Sequence, residues 1–208
     1  EGLPEYEMVS VVCSIINKFK LKNCCIKINH LGTRQNKASF CKALVDFLEP
    51  YKKELSEKDI ERLNKNPLRV LDSKNSDTQK ILKNAPSIKE FIDRASIEML
   101  NSIKNEFSDL CKIEIDYNLV RGLDYYSGFV FEAISSELGA QDSFLGGGRY
   151  DQLCSQLGGK DMPAIGMAIG LERLASIANP IKPNRKLVSF IIAASNLEPK
   201  GVRATYDF

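Results

Sequence analysis

Arg121, Asp124, Tyr125 and Tyr126 fall within six residues, between two runs that read as β-strands. Arginine carries a permanent charge on a planar fork suited to phosphate or carboxylate. Tyrosines supply flat walls and a hydroxyl that reads a polar ligand. Such a cluster suits a ligand pocket, although a tyrosine-rich strand edge beside a surface arginine would hold the same residues. A second group, Gly146-Gly147-Gly148, precedes Arg149-Tyr150-Asp151. Glycines let backbone N–H groups approach a ligand closely, and they equally build a tight hairpin. A third group is Ala164-Ile-Gly-Met-Ala-Ile-Gly-Leu-Glu-Arg-Leu. There Gly166 and Gly170 clear a flat floor for a ring, and Arg173 emerges on the first turn of a helix as a positive group over phosphates. Ordinary helix packing would use the same pattern.

These groups need elements to position them. Met8, Val11, Val12, Ile15, Ile16 and Phe19 have the spacing of an amphipathic helix. Residues 24–29 read as a strand, and the Phe40-to-Tyr51 stripe as a second helix ending near Pro50. The helix–strand–helix run suggests an α/β element on one side of a sheet. Residues 51–110 change character, being rich in Lys, Asn, Glu and Ser. Helix starts are predicted at Ser56 with Asp59, Ser76 with Gln79 and Ser87 with Glu90, and a long apolar face from Ile88 to Phe107. Its lysines could meet RNA phosphates or simply solvate a helix surface. Residues 111–119 alternate as a half-buried strand, and further strands follow at 129–134 and from Asp142. Short strands with glycine-rich links and no helix between them favour antiparallel pairing, hence an α+β fold.

Composition sets the bounds. The 208 residues are 43% hydrophobic and 27% charged, ordinary globular values, with a net charge of +2. The global field is too weak to indicate a nucleic-acid partner, so such contact would need a local patch. No apolar run approaches the roughly 20 residues of a membrane span, and no secretory signal is visible. Among the six cysteines there is no C-x-x-C pair, and His30 is the single histidine. Reduced thiols and no metal site are therefore expected, with His30 structural at a strand end. The chain opens Glu1-Gly-Leu-Pro, which we expect to lie downstream of the natural N-terminus.

The three groups together resemble one family. Leu119-Val-Arg-Gly-Leu-Asp-Tyr-Tyr-Ser-Gly-Phe-Val-Phe-Glu is similar to the histidine-binding signature of histidyl-tRNA synthetases. Gly146-Gly-Gly-Arg-Tyr-Asp-Gln-Leu resembles their second signature, and Ala164 to Leu174 resembles motif 3 of class II synthetases. Ile28-Asn-His-Leu-Gly and Asn66-Pro-Leu-Arg-Val-Leu-Asp-Ser-Lys are also family-typical, so the resemblance covers nearly the whole chain.

The resemblance implies a class II antiparallel sheet flanked by helices, with a helical insertion. Residues 1–50 and 111–178 would form the catalytic core and 51–110 the insertion. Residues 179–186 would be a linker, and 187–208 a remnant of the anticodon-binding domain. It implies histidine activation by ATP to histidyl-adenylate, then transfer to tRNA(His). ATP and its Mg2+ are substrates there, with no tightly bound cofactor, in a cytoplasmic homodimer without membrane attachment. Arg121 would be catalytic, contacting the α-phosphate and the histidine carboxylate. Tyr125, Tyr126, Tyr150 and Gly146, Gly147 and Gly148 would bind histidine, while Gly166, Gly170 and Arg173 would bind ATP. Motifs 1 and 2 of the family are not found in these residues, so a fragment inactive by itself is expected. The alternative is a non-catalytic, synthetase-like regulatory subunit of histidine biosynthesis. Such a subunit tends to lose the first signature, whose Arg121 and tyrosines are intact here.

Overall fold

The computed structural model describes residues 2–139 and 141–179. The expected linker beyond Asn179 and the whole of 187–208 lie outside the described residues. Five strands form one mixed sheet: β1 (Cys24–His30), β2 (Ile113–Ile115), β3 (Phe129–Ser135), β4 (Ser143–Arg149) and β5 (Ile165–Ile169), in the order β2-β1-β3-β4-β5. The antiparallel expectation holds for β1–β3, β3–β4 and β4–β5, but β1 and β2 pair in parallel. Their connection carries several helices, as a parallel crossover requires.

Helix α1 (Leu3–Lys18) starts with Pro4 in its first turn, where a missing N–H costs nothing. Helix α2 (Arg34–Leu48) begins at a reciprocal box, with Thr33 accepting from the Asn36 N–H and Asn36 accepting from the Thr33 N–H. Helix α3 (Glu57–Lys65) is capped by Ser56 as the spacing predicts. For α4 (Ser76–Leu82) the cap is Asn75, one residue earlier than expected, because its carboxamide accepts from the N–H groups of both Asp77 and Thr78. The long apolar face after Ser87 is broken. Ile88–Glu90 is a 3-10 turn, and Asp93 starts α5 (Arg94–Glu106) by accepting from the Ser96 N–H. The two short helices α6 (Leu153–Gln156) and α7 (Leu171–Ile177) follow β4 and β5.

The strand expected over 111–119 pairs only at Ile113–Ile115. At Asp116 the chain turns: its carboxylate accepts from the Asn118 N–H and its carbonyl from the Leu119 N–H. Buried Asn29 of β1 then donates to the Tyr117 and Leu119 carbonyls, so a side chain replaces the ladder there.

Alternation sorts the sheet into two faces. Phe129, Phe131 and Ala133 of β3 join Ile26 and Ile28 of β1 on one face. Buried Val9, Val12 and Ile16 of α1 and Leu100 and Ile103 of α5 cover them. Each such side chain contributes roughly 1.5–3 kcal/mol on burial. Val130 and Glu132 take the other face. Opposite them stand Gly148 and Gly146 of β4, then Gly166 and Ala168 of β5. Here Phe40 of α2 packs with Leu31, Ile88, Ile92, Leu119 and Tyr126 around Val130. Helices α1 and α2 thus serve opposite faces rather than one. The lysine-rich 51–110 run also divides, since α3 builds a third cluster with Leu44, Leu48 and Val70 while α5 packs on β1 and β2.

Candidate active site

Residues 116–128 contain neither helix nor strand, and they carry Arg121, Tyr125 and Tyr126 onto the small-residue face. The triple glycine makes no turn. It is the middle of β4, with extended backbone, and its residues alternate between faces. A Cβ on Gly146 would lie 2.5 Å from both terminal nitrogens of Arg121, so the guanidinium rests flat on bare backbone. A Cβ on Gly148 would lie 3.0 Å from the Tyr126 ring. Gly147 faces the apolar side, where its Cβ would crowd Phe131 and β5. Two of the three glycines therefore floor the candidate site. The third packs the sheet.

Tyr150, just after β4, repeats the arrangement over β5, its hydroxyl 2.7 Å from where a Gly166 Cβ would stand. The rings of Tyr125 and Tyr126 lie 4.7 Å apart, with Tyr150 at 5.9 Å and 6.4 Å from them. Burial, then the hydrogen bond with Tyr125, pushes the Tyr126 hydroxyl above its ordinary pKa. It stays protonated and able to donate throughout the neutral range.

Arg121 Nη1 donates to Glu132 Oε1 at 2.8 Å, while its Nε is buried without a partner. An unpaired buried donor is costly unless something fills the site. Glu132 also raises the pKa of Asp72, after burial as the larger cause. Arg173 sits in the first turn of α7, as expected. There its guanidinium donates to the Gln141 and Ser143 carbonyls and to Gln141 Oε1, tying α7 to the start of β4. Gly170 caps α7 beneath the Arg173 side chain and donates its N–H to the Phe144 carbonyl. Arg149 pairs with buried Glu5 of α1 at 2.5 Å and with Asp151 at 3.0 Å, so it is bound into the fold.

Several residues here were not singled out from the sequence. Glu132 closes the first signature but was given no role. Asn66 donates to the Asp124 carboxylate, and Arg69 lies against Gly122; both belong to the family-typical run 66–74, the one signal that could have flagged them. Lys37 of α2 donates to the carbonyls of Asp124 and Tyr126 and belongs to no motif. A cavity of about 660 Å³ lies beside this loop, between α2, Tyr125, Tyr126 and residues 151–163. Among the described residues no cluster of three metal-ligating side chains occurs, and no helix is long and apolar enough to cross a membrane. All six cysteines are free thiols.

The crystal structure of apo S. aureus histidyl-tRNA synthetase matches this fold with a TM-score of 0.63 and 31% identity, over 85% of this chain and 43% of that one. The sheet with its flanking helices is thus the class II synthetase fold. A histidine–tRNA ligase of Francisella philomiragia is 40% identical over 93% of this chain and 47% of its own length. One from Microcystis aeruginosa is 41% identical over 96% and 46%. The histidyl-tRNA synthetase family model matches residues 5–174, and the chain belongs to that family. It spans about half the length of the curated relatives it matches.

Proposed function

We propose that this chain is part of a histidine–tRNA ligase. Its reaction joins histidine to ATP through attack of the amino-acid carboxylate on the α-phosphorus, releasing pyrophosphate. A terminal hydroxyl of tRNA(His) then takes the histidyl group and AMP leaves. The observation that carries this reading is the Arg121 guanidinium laid on Gly146 with one buried donor still unpaired, beside three tyrosines. A fixed positive fork at that point would stabilise the charge that builds on phosphate oxygens as adenylate forms. No side-chain nucleophile is needed, so orientation does the rest.

In this reading Tyr125, Tyr126 and Tyr150 enclose the imidazole over Gly146 and Gly148, with Gly147 supporting from beneath. Gly166 and Gly170 floor the adenine end, and Arg173 exchanges its carbonyl partners for the ATP tail. Mg2+ arrives with ATP. Residues 1–50 and 111–178 belong to the catalytic core, helices α3 and α4 between them to an insertion, and the tail to an anticodon-binding domain. The packing of α5 on β1 and β2 supports counting that helix with the core. The working enzyme is a cytoplasmic homodimer whose remaining parts complete the ATP site.

The test is amino-acid-dependent pyrophosphate exchange by the full-length protein. Histidine should support it and the other amino acids should not. Absence of exchange with histidine, or exchange with another amino acid, rejects the reading. Purified residues 1–208 alone should form little adenylate.

A further inference from the structure

The loop that carries Arg121 and the tyrosines has almost no main-chain bonding of its own. Among the described residues, no backbone group from Val120 to Tyr126 bonds another backbone group. Among the described residues, the side chain that bonds the main chain of this stretch from outside is Lys37, whereas Asn66 reaches it only through the Asp124 carboxylate and Glu132 only through the Arg121 guanidinium. Lys37 Nζ, reaching over from α2, donates to the Asp124 and Tyr126 carbonyls, each at 3.2 Å. We infer that Lys37 is a positioning residue for the histidine pocket, setting Tyr126 against Gly148 by fixing the carbonyls on either side of Tyr125. The inference rests on the ligase reading proposed above.

The chemistry explains the residue type. A loop outside any ladder must satisfy its carbonyls with side chains or water. One ammonium on a four-carbon stem carries three donors, enough to hold two carbonyls two residues apart. Burying that charge costs free energy, and burial indeed pulls the Lys37 pKa below its ordinary value. A lysine kept for solubility would point to water. This one is half-buried beside the cavity and turns its ammonium to two backbone acceptors. Tyr126 is 7% exposed, and its ring has no slack against Gly148. A small shift of the loop therefore moves the pocket wall directly.

The test uses the full-length protein, with histidine and ATP varied separately in pyrophosphate exchange. Losing both bonds in Lys37→Met should raise the histidine KM roughly ten- to a hundredfold while the ATP KM changes by less than about threefold. Lys37→Arg, which keeps the donors, should restore most of it. Leu63→Ala, which opens the remote cluster around α3, should lower the melting temperature without moving the histidine KM. An unchanged histidine KM in an active Lys37→Met protein overturns the inference and leaves the ligase reading intact. So does an equal shift of both KM values, or a Leu63→Ala shift of the same size. No histidine-dependent exchange in the wild type removes the ligase reading and this inference with it. If Lys37→Met does not fold, Lys37→Gln should show a smaller shift of the same kind, and its absence counts equally against the role.

Discussion

Two polar groups with buried atoms behave in opposite ways. Asp59 of α3 is 1% exposed, and its carboxylate accepts from the hydroxyls of Ser56, Ser73 and Thr78 and from Arg62. Arg121 has one carboxylate partner and a buried nitrogen with none. Both groups lie off the main apolar core. The first is complete, and completeness is what a structural knot requires. The second is held by one carboxylate over bare glycine, with Nε unpaired, which is the geometry the proposed reaction would use.

The contrast can be broken by mutation. Asp59→Ala strips four donors of their acceptor, and the loss of stability should be the largest, on the order of 3–5 kcal/mol in urea unfolding. The folded fraction should keep its exchange activity. Arg121→Ala in the full-length protein should do the reverse, cutting the activation rate by on the order of 10²–10³ with the urea midpoint nearly unchanged. A near-wild-type rate would reject its assigned role. Gly146→Ala lies between, since its methyl group would occupy the Arg121 position. A cost of about 1–3 kcal/mol from overpacking is expected together with a fall in rate.

The smallest effect is in pH dependence. Burial alone would raise the Asp59 pKa, but the Ser73, Ser56 and Thr78 hydroxyls and then Arg62 outweigh it and hold the carboxyl below its ordinary value. That stabilisation is complete above the usual aspartate range and disappears as pH falls through the folded-state value. The stability gap between wild type and Asp59→Asn should therefore be widest near neutrality and narrow below about pH 4. A gap that is constant with pH would show that the charge is not what the hydroxyls hold.

Much of this was legible in the residues. Helices α1 and α2 and the strand over β3 follow from spacing, although the buried face of α1 runs through Val9, Val12, Cys13 and Ile16 and leaves Val11 exposed. The first signature pointed to Arg121 and its tyrosines. The glycines were legible as an unusual group but not as a floor. A turn and a flat strand use the same residue, and only the register opposite Val130 and Glu132 separates them. The parallel β1–β2 pair was hidden because its partners are separated by the whole helical excursion. Lys37 was hidden too, since its acceptors are backbone carbonyls that no side-chain pattern encodes. The strand expected over 111–119 stopped at Ile115 because Asp116 and Asn29 offer side-chain bonds that compete with the ladder.

The parallel pair has a consequence for how the chain tolerates change in length. The excursion between His30 and Ile113 leaves the sheet and returns beside the strand it left. Closing such a loop costs free energy that grows only logarithmically, by about 0.6 kcal/mol for each doubling. Extra turns in its outer part would leave the frame of Glu132 and Gly146 where it is. A single residue added between Leu119 and Gly128 would instead slide Arg121 off Gly146 and Tyr126 off Gly148. The long connection is elastic and the short one is a ruler.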